Sequence, residues 1–136
     1  MQKENKKTEH KSEKQVFSIV KRVQSFEHAG NGIRIFLKTT HNAWVHITAA
    51  VIVIWFGFIF NVTQTEWLFI ILSMGFVLTA EAFNTALEFD IDLTSPEYHE
   101  YAKYTKDVAA GAVVIASITA SIIGLIIFVP KFLTVL

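Results

Sequence analysis

The sequence predicts an all-α integral membrane protein with three transmembrane helices preceded by an amphipathic helix on the cytoplasmic surface. Two observations carry this prediction. The chain of 136 residues is 52% hydrophobic and contains 12 phenylalanines. Three long stretches are almost free of charge and lack the apolar–polar alternation that is typical of strands. Because a backbone in lipid must bond internally, these stretches are expected to be helices.

Two elements are predicted ahead of the first apolar stretch. Residues 1–14 have no large apolar residue after the initiator methionine and are predicted to form a disordered basic tail. From residue 15 apolar residues recur at helical spacing and predict a surface helix over about 15–40. We expect the glycines of Gly30–Gly32 to bend or break it. A basic amphipathic helix here is expected on the cytoplasmic membrane face, or over the cytoplasmic ends of the spans.

The three apolar stretches are predicted to span the membrane over about 43–60, 67–89 and 108–129, within a single domain over 15–136. A helix needs about 20 apolar residues to cross a bilayer, and all three lengths fit. Ser95 as N-cap and Pro96 at the first helical position predict the start of the last helix.

A stripe of small residues follows one side of the last predicted helix. Such a stripe lets another helix approach closely and predicts tight packing, including packing between subunits. Its members are Ala112, Ala116, Ala120 and Gly124.

The distribution of charge predicts the orientation. Residues 1–42 hold nine Lys and Arg, 61–66 none, 91–107 two and the C-terminal tail one. Because basic residues collect on the cytoplasmic side, the N-terminus is predicted in the cytoplasm and the C-terminus outside. The net charge is zero, and we expect no nucleic-acid partner. The absence of cysteine excludes disulfides and thiolate metal sites.

The second apolar stretch runs into the acidic segment EAFNTALEFDID. On a helix turning about 100° per residue, Asn84, Glu88 and Asp92 lie within about 60° of Glu81, and Asp90 lies opposite. A carboxylate deep in an apolar segment is costly, so Glu81 is predicted to be functional. Such a group suits proton transfer, and carboxylates on one face suit a hard ion such as Mg²⁺. Asp90 and Asp92 have the alternative of being solvated residues at a helix end.

Lys106 and Asp107 stand at the cytoplasmic mouth of the last helix. A lysine ammonium there can meet a phosphate as a point charge. The alternative is a lysine that only extends to the membrane interface. No phosphate-binding loop or dinucleotide fingerprint of soluble proteins is present. The residues by themselves predict a proton-handling, metal-assisted site in the cytoplasmic half of a membrane protein.

Two blocks of sequence carry a more specific pattern. The first is ExxNTxxE from Glu81 to Glu88, and the second is EYH from Glu97 followed by AKxxKDxAAGAV, which contains Lys106. With Asn42 and His46 in the first span, they resemble the prokaryotic diacylglycerol kinase and undecaprenol kinase family. The resemblance covers about residues 25–131.

The resemblance implies a small lipid kinase of the bacterial cytoplasmic (inner) membrane, working as a homotrimer with sites shared between subunits. It implies transfer of the γ-phosphoryl group of ATP, with Mg²⁺, to a membrane lipid alcohol. By the family pattern, Glu81 is the general base near the acceptor hydroxyl, Asn84 positions the reacting groups, and Glu88 binds the metal and ATP. The remaining ATP contacts implied by the pattern are Glu97, Tyr98, His99, Lys106 and Asp107.

Two positions depart from the family pattern. Thr40 stands where the family places a second metal-binding glutamate, and a hydroxyl is a weaker Mg²⁺ ligand than a carboxylate. Either Glu88 with water and ATP phosphates suffices, or Glu27 or Asp92 substitutes, or activity is reduced. Trp44 stands where the family commonly has a basic residue.

Three functions follow from these observations. The first is an active lipid kinase, with undecaprenol slightly favoured over diacylglycerol as acceptor. The second is a non-catalytic membrane assembly, motivated by Thr40. The third is an ion or proton pathway along the acidic face, which is disfavoured because only Ser73 and Thr79 are polar between Glu66 and Glu81.

Overall fold

A computed structural model describes residues 19–134, which form four helices and no strand. The helices are α1 (Ile19–Thr39), α2 (His41–Ile59), α3 (Gln64–Thr94) and α4 (Glu100–Leu133). Helices α2, α3 and α4 are each long and apolar enough to cross a membrane. The all-α, three-span prediction is therefore confirmed. The predicted tail over 1–14 and the first residues of the surface helix lie outside the described residues.

Helix α1 is continuous, so the break expected at Gly30–Gly32 is wrong. All 21 residues from Ile19 to Thr39 are helical, and no described glycine takes a positive φ. A glycine in a helix interior costs about 0.5–1 kcal/mol relative to alanine, which weakens a helix without interrupting it. The chain forms two compact units, divided after Gly32. In the first unit the described side chains from Arg22 onward are exposed.

A tight turn joins α2 to α3 in the second unit. The amides of Asn61 and Val62 donate to the carbonyls of Phe58 and Gly57, at 3.4 Å and 3.0 Å. This pair of bonds is the Schellman pattern that closes a helix with a left-handed residue. Asn61 is that residue, with φ 48°, and asparagine tolerates this conformation better than most residues. The turn is thus specified by local sequence.

Helices α3 and α4 form an antiparallel hairpin with an ion pair at each end. Lys131, late in α4, lies 3.1 Å from the carboxylate of Glu66 at the start of α3. Lys106, early in α4, lies 2.5 Å from Asp92 near the end of α3. Between them, Ala116 is 1% exposed. Ala112 is exposed, so the predicted small-residue stripe is packed only in part within the chain.

Helix α4 begins at Glu100, so the predicted start at Pro96 is wrong. The amide of Ser95 donates to the carbonyl of Ile91, which makes Ser95 the C-cap of α3. Proline disfavours helical backbone in the residue before it, and Ser95 has φ −135° and ψ 67°. The N-cap of α4 is His99, whose side chain accepts from the amide of Tyr101. The Ser-Pro pair marks a helix boundary, but it ends the preceding helix.

The described core is small and lies near the α2–α3 turn. Val62, Ile70 and Ile127 are buried, and five further apolar side chains pack on them: Val53, Trp67, Met74, Ile123 and Phe128. Most other large apolar residues of the spans are exposed, for example Leu72 at 68% and Ile126 at 69%. Contiguous apolar exposure on this scale is typical of a surface that meets lipid or another chain.

Candidate active site

A buried polar face on α3 forms the candidate active site. Glu81, Asn84 and Thr85 are 2%, 8% and 6% exposed, in a helix that is otherwise apolar for most of its length. Glu88, one turn further, is half-buried. Asp90, predicted on the opposite side, is exposed. Burial therefore follows the predicted face from Glu81 to Glu88, whereas Asp92, which the spacing assigns to the same face, is exposed near the end of α3.

The polar groups of this face are only partly satisfied within the described residues. Asn84 Nδ2 donates to Glu88 Oε1 at 3.0 Å. The remaining oxygens, Asn84 Oδ1 and Glu81 Oε1, are buried without a hydrogen-bond partner. A buried acceptor left unpaired costs about 1–3 kcal/mol. Two such oxygens one turn apart therefore favour a ligand that brings a proton or a positive charge.

Thr40 reaches the same face from the start of α2. Its Oγ1 lies 2.8 Å from Oγ1 of Thr85. Thr85 Oγ1 in turn donates to the carbonyl oxygen of Glu81 at 3.0 Å. The residue that departs from the family pattern thus lies at the predicted site. The helical spacing places Thr85 on the Glu81 face, but the sequence contains no signal for its pairing with Thr40.

Helix α4 contributes charged groups at the other end of the polar face. Lys106 is paired with Asp92, and Asp107 accepts a hydrogen bond from Lys103 at 2.5 Å. That hydrogen bond to Asp107 raises the pKa of Lys103 above its ordinary value. The pair between Lys106 and Asp92 joins the ends of α3 and α4, so Lys106 has a carboxylate partner rather than solvent alone.

The predicted residues Glu97, Tyr98 and His99 are exposed in the connection between α3 and α4. His99 also caps α4 through its Nδ1, which accepts from the Tyr101 amide at 3.3 Å. The connection belongs to the same end of the hairpin as the Lys106 pair. The structure therefore places these residues at the mouth of the hairpin, while Glu81 lies deeper along α3.

The donor atoms of the polar face fit a hard cation that is shared with a phosphate. Among residues 19–134 no group of three or more acidic or histidine side chains could hold a metal by itself. The donors present are the carboxylate of Glu88, the free Oδ1 of Asn84 and the carboxylate of Glu81. Mg²⁺ prefers such oxygens and keeps waters and phosphate oxygens as its other ligands. The oxygens of this face are therefore of the chemical type that a hard divalent cation binds.

An apolar groove of about 720 Å³ approaches the polar face along α2, α3 and α4. Its α3 lining ends at Val77 and Leu78, one helical turn before Glu81. Its few polar lining residues include His46 of α2 and Ser117 of α4. The groove is thus lined mainly by apolar side chains, as a site for a hydrocarbon chain would be.

The chain matches the family model described as prokaryotic diacylglycerol kinase over residues 27–128. The match covers well over half of the 136 residues and includes Thr40, Glu81, Glu88 and Lys106. The chain belongs to the prokaryotic diacylglycerol kinase family. The predicted resemblance is confirmed, and this family member is a lipid kinase, an enzyme that phosphorylates a lipid alcohol.

Two relatives of this kinase show how far the similarity extends. The undecaprenol kinase of Bacillus subtilis (strain 168) is 42% identical over 108 residues, which cover 79% of this chain and 88% of that protein. The diacylglycerol kinase of Synechocystis sp. is 35% identical over 113 residues, which cover 82% of this chain and 65% of that protein. The two relatives carry the names of the two acceptor lipids that the sequence leaves open.

Proposed function

We propose that this lipid kinase transfers the γ-phosphoryl group of ATP, with Mg²⁺, to the hydroxyl of a membrane lipid at the cytoplasmic side. The observation that carries the proposal is the carboxylate of Glu81, 2% exposed and with Oε1 unpartnered. A carboxylate in this position can accept the proton of an alcohol that arrives from the bilayer. Phosphoryl transfer otherwise needs alignment and charge neutralisation, which a few well-placed polar groups supply.

Glu81, Asn84 and Glu88 of the polar face have distinct roles in the proposed transfer. Glu81 accepts the proton of the acceptor hydroxyl as the acceptor oxygen bonds to the γ-phosphorus. The bond from that phosphorus to the bridging oxygen breaks, and ADP leaves. Asn84 orients Glu88 through their hydrogen bond of 3.0 Å. Mg²⁺, when bound at Glu88, neutralises charge on the phosphate oxygens.

The mouth of the hairpin is proposed to bind ATP. Lys106 can exchange the carboxylate of Asp92 for a phosphate oxygen, because their pair is partly exposed and such pairs are weak. The other proposed contacts are the exposed residues Glu97, Tyr98 and His99, with Asp107 beside Lys106. In the proposed binding mode, the phosphates of ATP extend from the cytoplasmic end of α3 toward Glu88.

The acceptor is proposed to be undecaprenol, with diacylglycerol as the alternative. The relative named undecaprenol kinase is 42% identical to this chain, and the relative named diacylglycerol kinase is 35% identical. The apolar groove that ends one turn from Glu81 suits the hydrocarbon part of either lipid. We further propose a homotrimer with shared sites in the bacterial cytoplasmic membrane, with the N-terminus in the cytoplasm.

The test is transfer of labelled phosphate from ATP with Mg²⁺ to undecaprenol and to diacylglycerol in mixed micelles. Glu81→Gln is expected to lower kcat at least about 100-fold, because it removes the proton acceptor. Asp90→Asn is the matched control, since Asp90 is an exposed carboxylate on the same helix but the opposite side. Absence of transfer to both lipids from folded protein contradicts the proposal.

The second candidate is a catalytically weakened kinase that acts mainly as a membrane assembly, and Thr40 is the observation that favours it. The hydroxyl of Thr40 forms a hydrogen bond with Thr85 at 2.8 Å, and it does not supply the negative charge that a glutamate at this position would offer to a metal. The variant Thr40→Glu separates the two candidates. A weakly active parent chain that gains activity with Thr40→Glu supports the second candidate, and a parent chain whose activity Thr40→Glu does not raise rules it out.

A further inference from the structure

The hydroxyl of Thr40 makes an unusual hydrogen bond for a residue at the start of a helix. Thr40 stands at the N-cap of α2 with φ −99° and ψ 103°, yet its side chain caps no amide of α2. N-cap threonines ordinarily accept a hydrogen bond from the first turn of their own helix. Here the hydroxyl is directed to α3, where it meets Thr85 at 2.8 Å.

The two threonines form a chain of hydrogen bonds with a defined direction. A hydroxyl has a single proton to donate and can accept through its lone pairs. Thr85 donates its proton to the carbonyl oxygen of Glu81 at 3.0 Å. With that proton engaged, Thr40 is assigned as the donor in the contact between the two hydroxyls, although the distance alone allows either direction. The chain runs from Thr40 through Thr85 to the backbone of Glu81.

This chain acts on the part of the site that is otherwise least fixed. Oε1 of Glu81 is buried with no hydrogen-bond partner within the described residues. The position of that carboxylate then depends on the backbone of its own turn, where the Thr85 hydroxyl adds a second donor to the Glu81 carbonyl beside the helix's own amide bond. Thr85 is 6% exposed and Ala43, in the first turn of α2, is 0% exposed, so the contact between the two helices is closely packed here.

We propose that Thr40 and Thr85 are positioning residues that place the Glu81 turn of α3 relative to the start of α2. The inference rests on the proposed kinase function for its catalytic consequence. Neither hydroxyl needs to touch substrate, since both act through the backbone of Glu81. Loss of either one releases the same connection, so the two variants are expected to have effects that do not add.

The experiment compares kcat and KM for ATP and lipid in Thr40→Val, Thr85→Val and the double variant, together with Thr85→Ser. Valine keeps the shape of threonine and removes the hydroxyl. We expect each valine variant to lower kcat about tenfold or more, because small displacements of a reacting group are costly, while KM for ATP changes less than about twofold. The double variant is expected to match the single variants, and Thr85→Ser is expected to recover most of kcat.

Thr119→Val is the matched control for loss of a threonine hydroxyl from a membrane helix. Thr119 makes the same kind of bond, from Oγ1 to the carbonyl of Ile115 at 2.9 Å, but on an exposed side of α4. Its kcat is expected to equal that of the parent chain. Equal kcat in Thr85→Val and the parent overturns the inference, and so does an equal loss in Thr119→Val.

Amide hydrogen exchange over residues 81–88 provides a readout that does not depend on turnover. Thr40→Val and Thr85→Val are expected to speed exchange there, whereas Thr119→Val is not. Unchanged exchange in both site variants overturns the inference even if the parent chain transfers no phosphate. If the parent chain is inactive but exchange is faster in those variants, the proposed phosphoryl transfer is contradicted. The inference that the two threonines position the Glu81 turn is then still supported.

Discussion

At the scale of single residues, Asn84 lies between the buried Glu81 and the half-buried Glu88 on the polar face of α3. Its amide nitrogen donates to Glu88 at 3.0 Å, while its amide oxygen is buried and free. One side chain thus orients a carboxylate and offers a further oxygen to a ligand. Glu81, one turn deeper, has no such support for its Oε1 from residues 19–134. The two carboxylates therefore differ in how they are held.

Replacing Asn84 by alanine tests its role. We expect Asn84→Ala to lower kcat about tenfold or more and to raise the Mg²⁺ concentration for half-maximal activity, because Glu88 loses its hydrogen bond and the site loses an oxygen donor. Titration of activity with Mg²⁺ at saturating ATP measures both effects. An unchanged Mg²⁺ dependence argues against a metal role for this pair.

Lys106 gives a prediction about nucleotide binding. We expect Lys106→Met to raise KM for ATP about tenfold or more, because it removes a charge proposed to meet a phosphate. The control is Lys131→Met, which breaks the other ion pair of the hairpin. Steady-state kinetics with varied ATP separate the two, and equal KM values in Lys106→Met and the parent exclude the proposed contact.

At the scale of helices, the packing of α2 on α3 depends on Gly57. A Cβ added at Gly57 would lie 2.5 Å from the ring of Trp67, so no side chain fits there without movement. Gly57 is also the acceptor for the Val62 amide in the turn that follows. The same residue thus allows the close approach of the helices and closes α2. Gly30 and Gly32, in contrast, lie in an uninterrupted helix with nothing within 4 Å of an added Cβ.

Alanine substitution at two helical glycines separates packing from backbone effects. We expect Gly57→Ala to destabilise the protein by about 1–3 kcal/mol, because overpacking forces neighbouring groups to move. Gly75→Ala is the control, since an added Cβ there meets nothing within 4 Å. Thermal unfolding in detergent is the measurement. Equal melting temperatures for the two variants contradict the contact with Trp67.

At the scale of the whole second unit, from Ile33 onward, the spans present a largely apolar exterior and bury the polar face of α3. Three helices suited to a bilayer surround few buried residues, and an apolar groove lies beside the site. In a bilayer this exterior meets hydrocarbon, which a water-soluble protein of this size avoids. A neighbouring subunit can cover part of it, as the proposed homotrimer requires.

The predicted topology can be tested because the chain has no cysteine. Single cysteines at His28 and Thr134, both exposed, mark the two sides. We expect a membrane-impermeant maleimide to label Thr134→Cys in intact cells and His28→Cys only after permeabilisation, because basic residues favour the cytoplasmic side. Labelling in the reverse order contradicts the predicted orientation.

Prediction of the polar face from sequence succeeded for a physical reason. A charge-free run broken by Glu81 is a strong signal, and helical geometry alone assigns Asn84, Thr85 and Glu88 to its side. Local patterns were less informative about helix boundaries. Ser95 and Pro96 read equally well as the start of one helix or the end of another, and the continuation of α3 to Thr94 decides between them.

The sequence by itself determined the helical class, the three spans, the family and the residues of the acidic face, because these depend on composition and on spacing along one helix. Only the tertiary structure decided that Thr40 meets Thr85 and that Lys106 meets Asp92, which lie 45 and 14 residues apart. Contacts between helices depend on their rotation and register. Those are set by packing, such as that of Gly57 on Trp67, and the pattern along any single helix does not contain them.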